Sequence, residues 1–321
     1  MQQRPFKQVD VFTDQAYLGN PLAVVLDGTG LSTEEMQHFA RWTNLSETTF
    51  VLPPTPDAAA QGADYQVRIF TTAYEMPFAG HPTLGTCHAW LEHGGAPQNP
   101  GMVVQECKVG LVRISRDSAF NGRAAFAAPA LKRQEATPAL VQALADALGI
   151  ARSNVQASQH LNNGPSHFGL LLDSADTVLA LVPDFSRLRS VLAGAGISGV
   201  GVAALQPGSA TTGLIARSNR EARAFAANPP ATAPDTTDNP GLEVRFFFDH
   251  GNGVGEDPVT GSFNASLAQW LIAQGLAPQR YTASQGTCIG VQGRVHIHRD
   301  AAGQVWVGGD AVTCITGTVR L

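Results

Sequence analysis

A chain of 321 residues is long enough for roughly two domains of common size. Its net charge of −5, with Lys7, Lys108 and Lys132 as its only lysines, excludes a nucleic-acid-binding surface, and no basic block marks it for an anionic membrane. The opening MQQRPFKQVD has no apolar core and does not read as a signal peptide. The uncharged stretch Ser190–Thr212 is broken by glycines and Pro207, and Cys87, Cys107, Cys288 and Cys314 show no close pairing, so a reduced, cytoplasmic protein is expected.

Val9–Phe12 predicts a first strand, Leu18–Pro21 a turn and Leu22–Leu26 a second strand. Ser32 and Glu35 form a capping-box pattern for a helix to about Trp42, with Met36, Phe39 and Ala40 on its core face. Glu47 sits at a loop-to-strand junction ahead of the β-branched and aromatic Thr48–Leu52, and Pro53–Asp64 reads as a polar loop. Val67–Phe70 predicts a strand leading into PFAGHPTLGTCHAWL, Pro77–Leu91; strands follow at Met102–Glu106, Gly110–Ser115 and Arg123–Ala127. Thr137 and Pro138 start a helix that Gly149 stops, and a second short helix spans Asp184–Ala193. His167–Leu172, Gly199–Ala204, Thr212–Arg217 and Leu242–Phe248 predict strands, and Asn228–Gly241 a surface loop. A second Pro-Gly helix start follows in GEDPVTGSFNASLAQWL, Gly255–Leu271, with Asp257 expected as N-cap and Pro258 as first helical residue. Gly290–His298, Val305–Gly308 and Ala311–Val319 close the chain as strands.

The two helix starts look related. Pro82 and Pro258, Gly85 and Gly261, Thr86 and Ser262, Leu91 and Leu267, and His81 and Asp257 are each 176 residues apart. Both helices are apolar on most faces and so are expected to be buried, each wrapped by a curved sheet. A helix N-terminus presents unpaired N–H groups and partial positive charge, a seat for an anion. If the two starts face one cleft, Glu47, His81, Asp257 and Ser262 surround it. That set suits proton abstraction beside a carboxylate-bearing carbon without metal or cofactor.

Rival chemistries fit less well. The Gly251–Gly255 loop lacks the ribose-binding acid a dinucleotide site expects, since no Asp or Glu occurs between Asp257 and Asp300. His296 and His298 share a strand face but lack a third metal ligand, and the cysteines lack zinc spacing. No cofactor is therefore expected.

The motifs NLSETTFV (Asn44–Val51), PFAGHPTLG (Pro77–Gly85) and EDPVTGS (Glu256–Ser262), with GNPLAVV (Gly19–Val25) near the start, resemble those of the PhzF phenazine-biosynthesis family in order and approximate spacing over the whole chain. The resemblance implies the diaminopimelate-epimerase fold, an α+β architecture of two pseudo-symmetric halves, each a curved sheet or barrel around a central helix. Here that means residues 1–128 plus 310–321 as the N-terminal half and 129–309 as the C-terminal half, with the site between them. It further implies a homodimer and a cofactor-independent isomerase of a small cyclic or unsaturated carboxylic acid, of the trans-2,3-dihydro-3-hydroxyanthranilate isomerase type. Matched residue by residue, Glu47 is the proton-transferring acid/base, His81 and Asp257 assist, and Asn20, Ser46, Gly80, Gly261 and Ser262 line the substrate site. The epimerase branch uses one cysteine from each half; Ala79–Thr86 and Glu256–Ser262 contain none, which disfavours two-base racemisation. An epimerase of the same fold and a non-catalytic binding or interaction protein are the competing readings. A bound small acid and a closed, buried Glu47 favour catalysis; an exposed Glu47 with no cleft favours the interaction role.

Overall fold

The computed structural model describes residues 2–116, 123–206, 241–249 and 253–321. Local sequence rules set several helices directly. Ser32 caps Thr33–Thr43 in a complete capping box, and Asn44 ends that helix in the left-handed conformation. Thr137 caps Pro138–Leu148, which Gly149 stops at φ 72°. The segment expected to be a polar loop contains a short helix, Pro56–Ala60, capped by Thr55. A further short helix, Ala175–Ala180, precedes Phe185–Ala195. The expected strand Thr212–Arg217 and all but the last residue of the expected loop Asn228–Gly241 lie outside the described residues.

The strands form one hydrogen-bonded ladder in which one order of pairings occurs twice. Gln3–Val11 runs antiparallel to Asn20–Val25, which is parallel to Glu47–Leu52, antiparallel in turn to Tyr65–Phe70. That strand is parallel to Met102–Cys107, and Gly110–Ser115 and Ala124–Ala127 follow antiparallel. The second run has the same alternation: Val155–Asn162, Ser166–Leu172, Gly199–Leu205, Leu242–Asp249, Arg280–Gln285, Gly293–Arg299 and Val305–Gly309. Val305–Gly309 pairs with Ala124–Ala127 and joins the two runs, and the last strand, Ala311–Arg320, returns to pair with Gln3–Val11. The fold is α+β and dominated by sheet, with few helices.

Two helices of 13 residues, Gly80–Glu92 and Gly261–Ala273, are buried on nearly every face. Most of the apolar core packs around them, and smaller clusters lie under the helices at Thr33–Thr43 and Pro138–Leu148. Their starts correct the sequence reading. The first helix begins at Gly80, so Pro82 is its third residue. The second begins at Gly261 behind Thr260, so Pro258 and Asp257 are neither first residue nor cap. Starts and ends of the two helices are 181 residues apart, not the 176 of the sequence matches. The physical reason is that residues 257–260 are held in an irregular, non-helical conformation by side-chain bonds: Thr260 Oγ1 donates to Asp257 Oδ2 at 2.5 Å, and Gln285 bonds both the Asp257 carbonyl and Thr260. Among the described residues no helix is long and apolar enough to cross a membrane.

The two helix starts touch. A Cβ placed on Gly80 would lie 2.8 Å from the Gly261 backbone and 2.9 Å from the Phe126 ring. Backbone atoms on one side leave no side chain free to give way, so Gly80→Ala is expected to cost about 1–3 kcal/mol by overpacking. Gly194→Ala, whose Cβ meets nothing within 4 Å on an exposed helix, should be neutral or stabilising by up to about 1 kcal/mol. Urea midpoints of the two variants check the contrast; equal midpoints would remove the tight contact from the account.

Candidate active site

The abutting helix starts form the floor of a cleft of about 450 Å³, counted with its open mouth. Ser46, Glu47, Gly80, His81, Asp257, Gly261 and Ser262 all line it, so seven of the eight expected site residues meet there. The eighth, Asn20, is fully buried behind them. Its Nδ2 donates to the Val259 carbonyl at 2.8 Å and to Asp257 Oδ1 at 3.3 Å, and lies 3.3 Å from His81 Nδ1. One amide from the second strand thus ties the Glu256–Thr260 loop to the first buried helix.

Thr83 N–H is the first amide of that helix bonded back along it, to the Ala79 carbonyl, and Pro82 has no N–H. The Gly80 and His81 amides therefore have no intrahelical acceptor. On the second helix Asn264 N–H bonds the Thr260 carbonyl, which leaves the amides of Gly261 and Ser262 similarly placed. Two positive helix ends converge on one opening, an arrangement that suits a bound carboxylate.

Glu47 begins its strand as the sequence suggests, and only 8% of it is exposed. Its Oε2 lies 3.3 Å from His81 Nε2. The angle is too poor for a formed hydrogen bond, and neither atom has another partner, so the contact is one of proximity. Burial, and then the negative charge of Asp257, push the Glu47 carboxyl well above its ordinary value. Burial pushes His81 down to about 3, against the Pro21 carbonyl, which favours the protonated ring. Both groups are therefore driven toward their neutral forms.

One lining residue was not singled out from the sequence. His167, read there only as the start of a strand, is 2% exposed and stands on the wall formed with Pro165, Phe246 and Phe248. Its ring meets Phe246 edge-on at 4.9 Å and Phe263 at 6.0 Å, and burial pushes it down to about 3. The available signal was the Asn-Asn-Gly-Pro turn before it, which aims this strand at the cleft: Asn163 Nδ2 donates to the Ser262 carbonyl at 2.8 Å. Among the described residues no cluster of three or more His, Cys, Asp or Glu has metal-site geometry, and no cysteine lines the cleft. His296 bonds the Thr282 hydroxyl at 3.1 Å.

Residues 9–317 match the family described as phenazine biosynthesis-like protein, PhzC-PhzF. The protein named antisense-enhancing sequence 1 of Schizosaccharomyces pombe is 34% identical over 99% of both chains. A trans-2,3-dihydro-3-hydroxyanthranilate isomerase of Pseudomonas aeruginosa is 36% identical over 56% of this chain and 61% of its own length. The crystal structure of a PhzF-family protein of Bacillus anthracis superposes with a TM-score of 0.77 over the full length of both chains at 22% identity. The chain belongs to the PhzC-PhzF family.

The burial of Glu47 has a consequence for stability. A carboxyl whose folded pKa lies above its unfolded value makes the folded state hold the extra proton, so stability is highest below the unfolded value, about 4.5, and falls as pH rises toward the folded one. Glu47→Gln removes that titration. His81, depressed to about 3, acts in the opposite sense, gaining stability as pH rises toward 6.5, and is common to both proteins. The advantage of Glu47→Gln in thermal midpoint over the parent should therefore grow from pH 5 to pH 8, reaching about 2 °C or more. Melts across that range check it; a shrinking advantage would mean the folded cleft favours the charged carboxylate.

Proposed function

We propose that this PhzC-PhzF family member is a cofactor-independent isomerase that moves a proton between two carbons of a small cyclic or unsaturated carboxylic acid, of the trans-2,3-dihydro-3-hydroxyanthranilate isomerase type. The observation that carries the reading is Glu47: a carboxyl buried at the wall of a cleft whose floor is two helix N-termini. An interaction protein has no use for such a group. The relatives named as isomerases support the reaction class.

The roles follow from the chemistry at each position. The amides of Gly80, His81, Gly261 and Ser262 hold the substrate carboxylate without titrating, and Ser46 and Asn20 complete and brace that seat. The ionised form of Glu47 takes a proton from the neighbouring carbon. A carboxylate with an ordinary pKa is a weak base, and the burial that raises Glu47 makes it a stronger one. The same carboxyl, now protonated, returns the proton to a second carbon on the same face. His81, 3.3 Å from the carboxyl, is neutral and orients it. Asp257, held by Thr260 and Asn20, keeps negative charge near Glu47 and so raises its affinity for the proton in transit. The absence of cysteine from both loops argues against two-base epimerisation. The site is read as lying between two half-chains, residues 1–128 with 310–321 and residues 129–309, in a homodimer.

A proton-exchange screen in deuterium oxide against cyclic and unsaturated acids tests the reaction without a product assay. On any acid the parent protein exchanges, Glu47→Gln should lower deuterium incorporation by about 10²–10⁴-fold with the acid still bound. His81→Ala and Asp257→Asn should lose less, because each acts on the proton through Glu47. Ser262→Ala should weaken binding more than turnover. Near-parental exchange by Glu47→Gln would assign the base to another group.

A further inference from the structure

His167 is a buried imidazole on the wall of the cleft that the roles above do not use. It makes no hydrogen bond among the described residues, and its Nδ1 is buried without a partner. A neutral imidazole always carries one donor and one acceptor, and buried polar atoms of this kind are ordinarily paired. A purely structural role would be filled better by phenylalanine: the ring sits edge-on to Phe246 at 4.9 Å and near Phe263, an apolar environment on both sides. The ring nevertheless lines the cleft, together with Pro165 and Phe248. Glu47 and His81, which also line the cleft, come from other strands and helices.

We propose that His167 is a substrate-specificity residue, whose imidazole hydrogen-bonds a hydroxyl or amino substituent on the ring of the acid, while the helix N-termini hold the carboxylate. This rests on the carboxylic-acid reading above and adds what that reading leaves open, the second polar feature of the ligand. Burial keeps the ring neutral, so it offers a donor and an acceptor without the cost of hydrating a charge. A hydroxyl or amine fits because either can donate to the unprotonated ring nitrogen, and a hydroxyl can instead accept from the protonated one. An unsubstituted ring would leave His167 unpaired beneath the bound acid, which is how a polar pocket rejects an analogue that lacks the group it reads.

The test uses three probes on the full chain: benzoate, 3-hydroxybenzoate and anthranilate, each titrated by calorimetry or ligand-observed NMR. The parent protein should bind 3-hydroxybenzoate or anthranilate at least about tenfold more tightly than benzoate, and which of the two is preferred identifies the substituent. His167→Phe should bind benzoate within about twofold of the parent and lose that preference, and His167→Gln should recover part of it. If His167→Phe fails to fold, ¹⁵N resonances of the His167 ring in the parent protein replace it; they should shift with the preferred substituted acid and not with benzoate. Equal binding of all three acids, a preference retained by His167→Phe, or a ring that does not respond would overturn the role of His167 while leaving the carboxylate seat intact. Binding of none of the three would overturn the carboxylate seat itself, and this inference with it.

Discussion

Everything at the cleft depends on the contact between Gly80 and Gly261. Two helices meet end to end with their backbones so close that a Cβ on either glycine would strike the other chain segment. Glycine is required here by the approach, since neither position has a positive φ. The contact brings two sets of unpaired amides and two partial positive charges to one place, where in the absence of an anion they repel. The structure bears that repulsion because both helices are buried along their length in the main core, which fixes their directions regardless of what their ends encounter. Two helix ends whose directions are fixed by the core in this way are suited in advance to an anion.

The same burial that fixes the helices sets the protonation of the groups beside them. Helix N-termini favour a carboxylate, and burial opposes it; at Glu47 burial wins, with the charge of Asp257 added. Asp257 is placed differently. It accepts from the Thr260 hydroxyl and from Asn20, so its charge is spread over hydrogen bonds that Glu47 does not have. Two carboxyl groups in one cleft thereby have different surroundings: one is solvated by protein donors, and the other has no hydrogen-bond partner for Oε2 among the described residues.

How much of this was legible in the sequence depended on whether local or distant atoms decided the outcome. Ser32 with Glu35 and Thr137 with Pro138 gave correct helix starts because capping is settled within four residues. Pro258 and Asp257 misled because the same local rule was overruled: Gln285, from a strand 25 residues later, bonds Thr260 and holds the segment out of the helix. The 176-residue matches were out of register with the helices for the same reason, and the meeting of the two starts at one cleft did not follow from them. Motifs carried Glu47, His81, Asp257 and Ser262 to one site, since each lies in a stretch of unusual composition. His167 sits in an ordinary apolar strand, and its distinguishing property, a ring without a hydrogen bond, exists only once Phe246 and Phe263 have packed around it.

The repeated order of pairings also brings out how the two runs differ at the cleft. In the first run, Glu47 opens the third strand and pairs in parallel register with Leu22 of the second. In the second run, the residue opening the third strand is Gly199, paired with His167 of the second. A side chain at Gly199 has no room, because a Cβ there would meet the Phe246 ring at 2.5 Å. The acid of one run is thus answered in the other by a glycine filled with an aromatic ring, and the apolar Leu22 by an imidazole. That imidazole, pushed down to about 3, is too weak a base to serve as the second proton carrier that inversion at carbon demands. The two runs thus share an order of pairings but not the side chains at these positions: where one has a carboxyl the other has a glycine, and where one has an apolar leucine the other has a neutral imidazole.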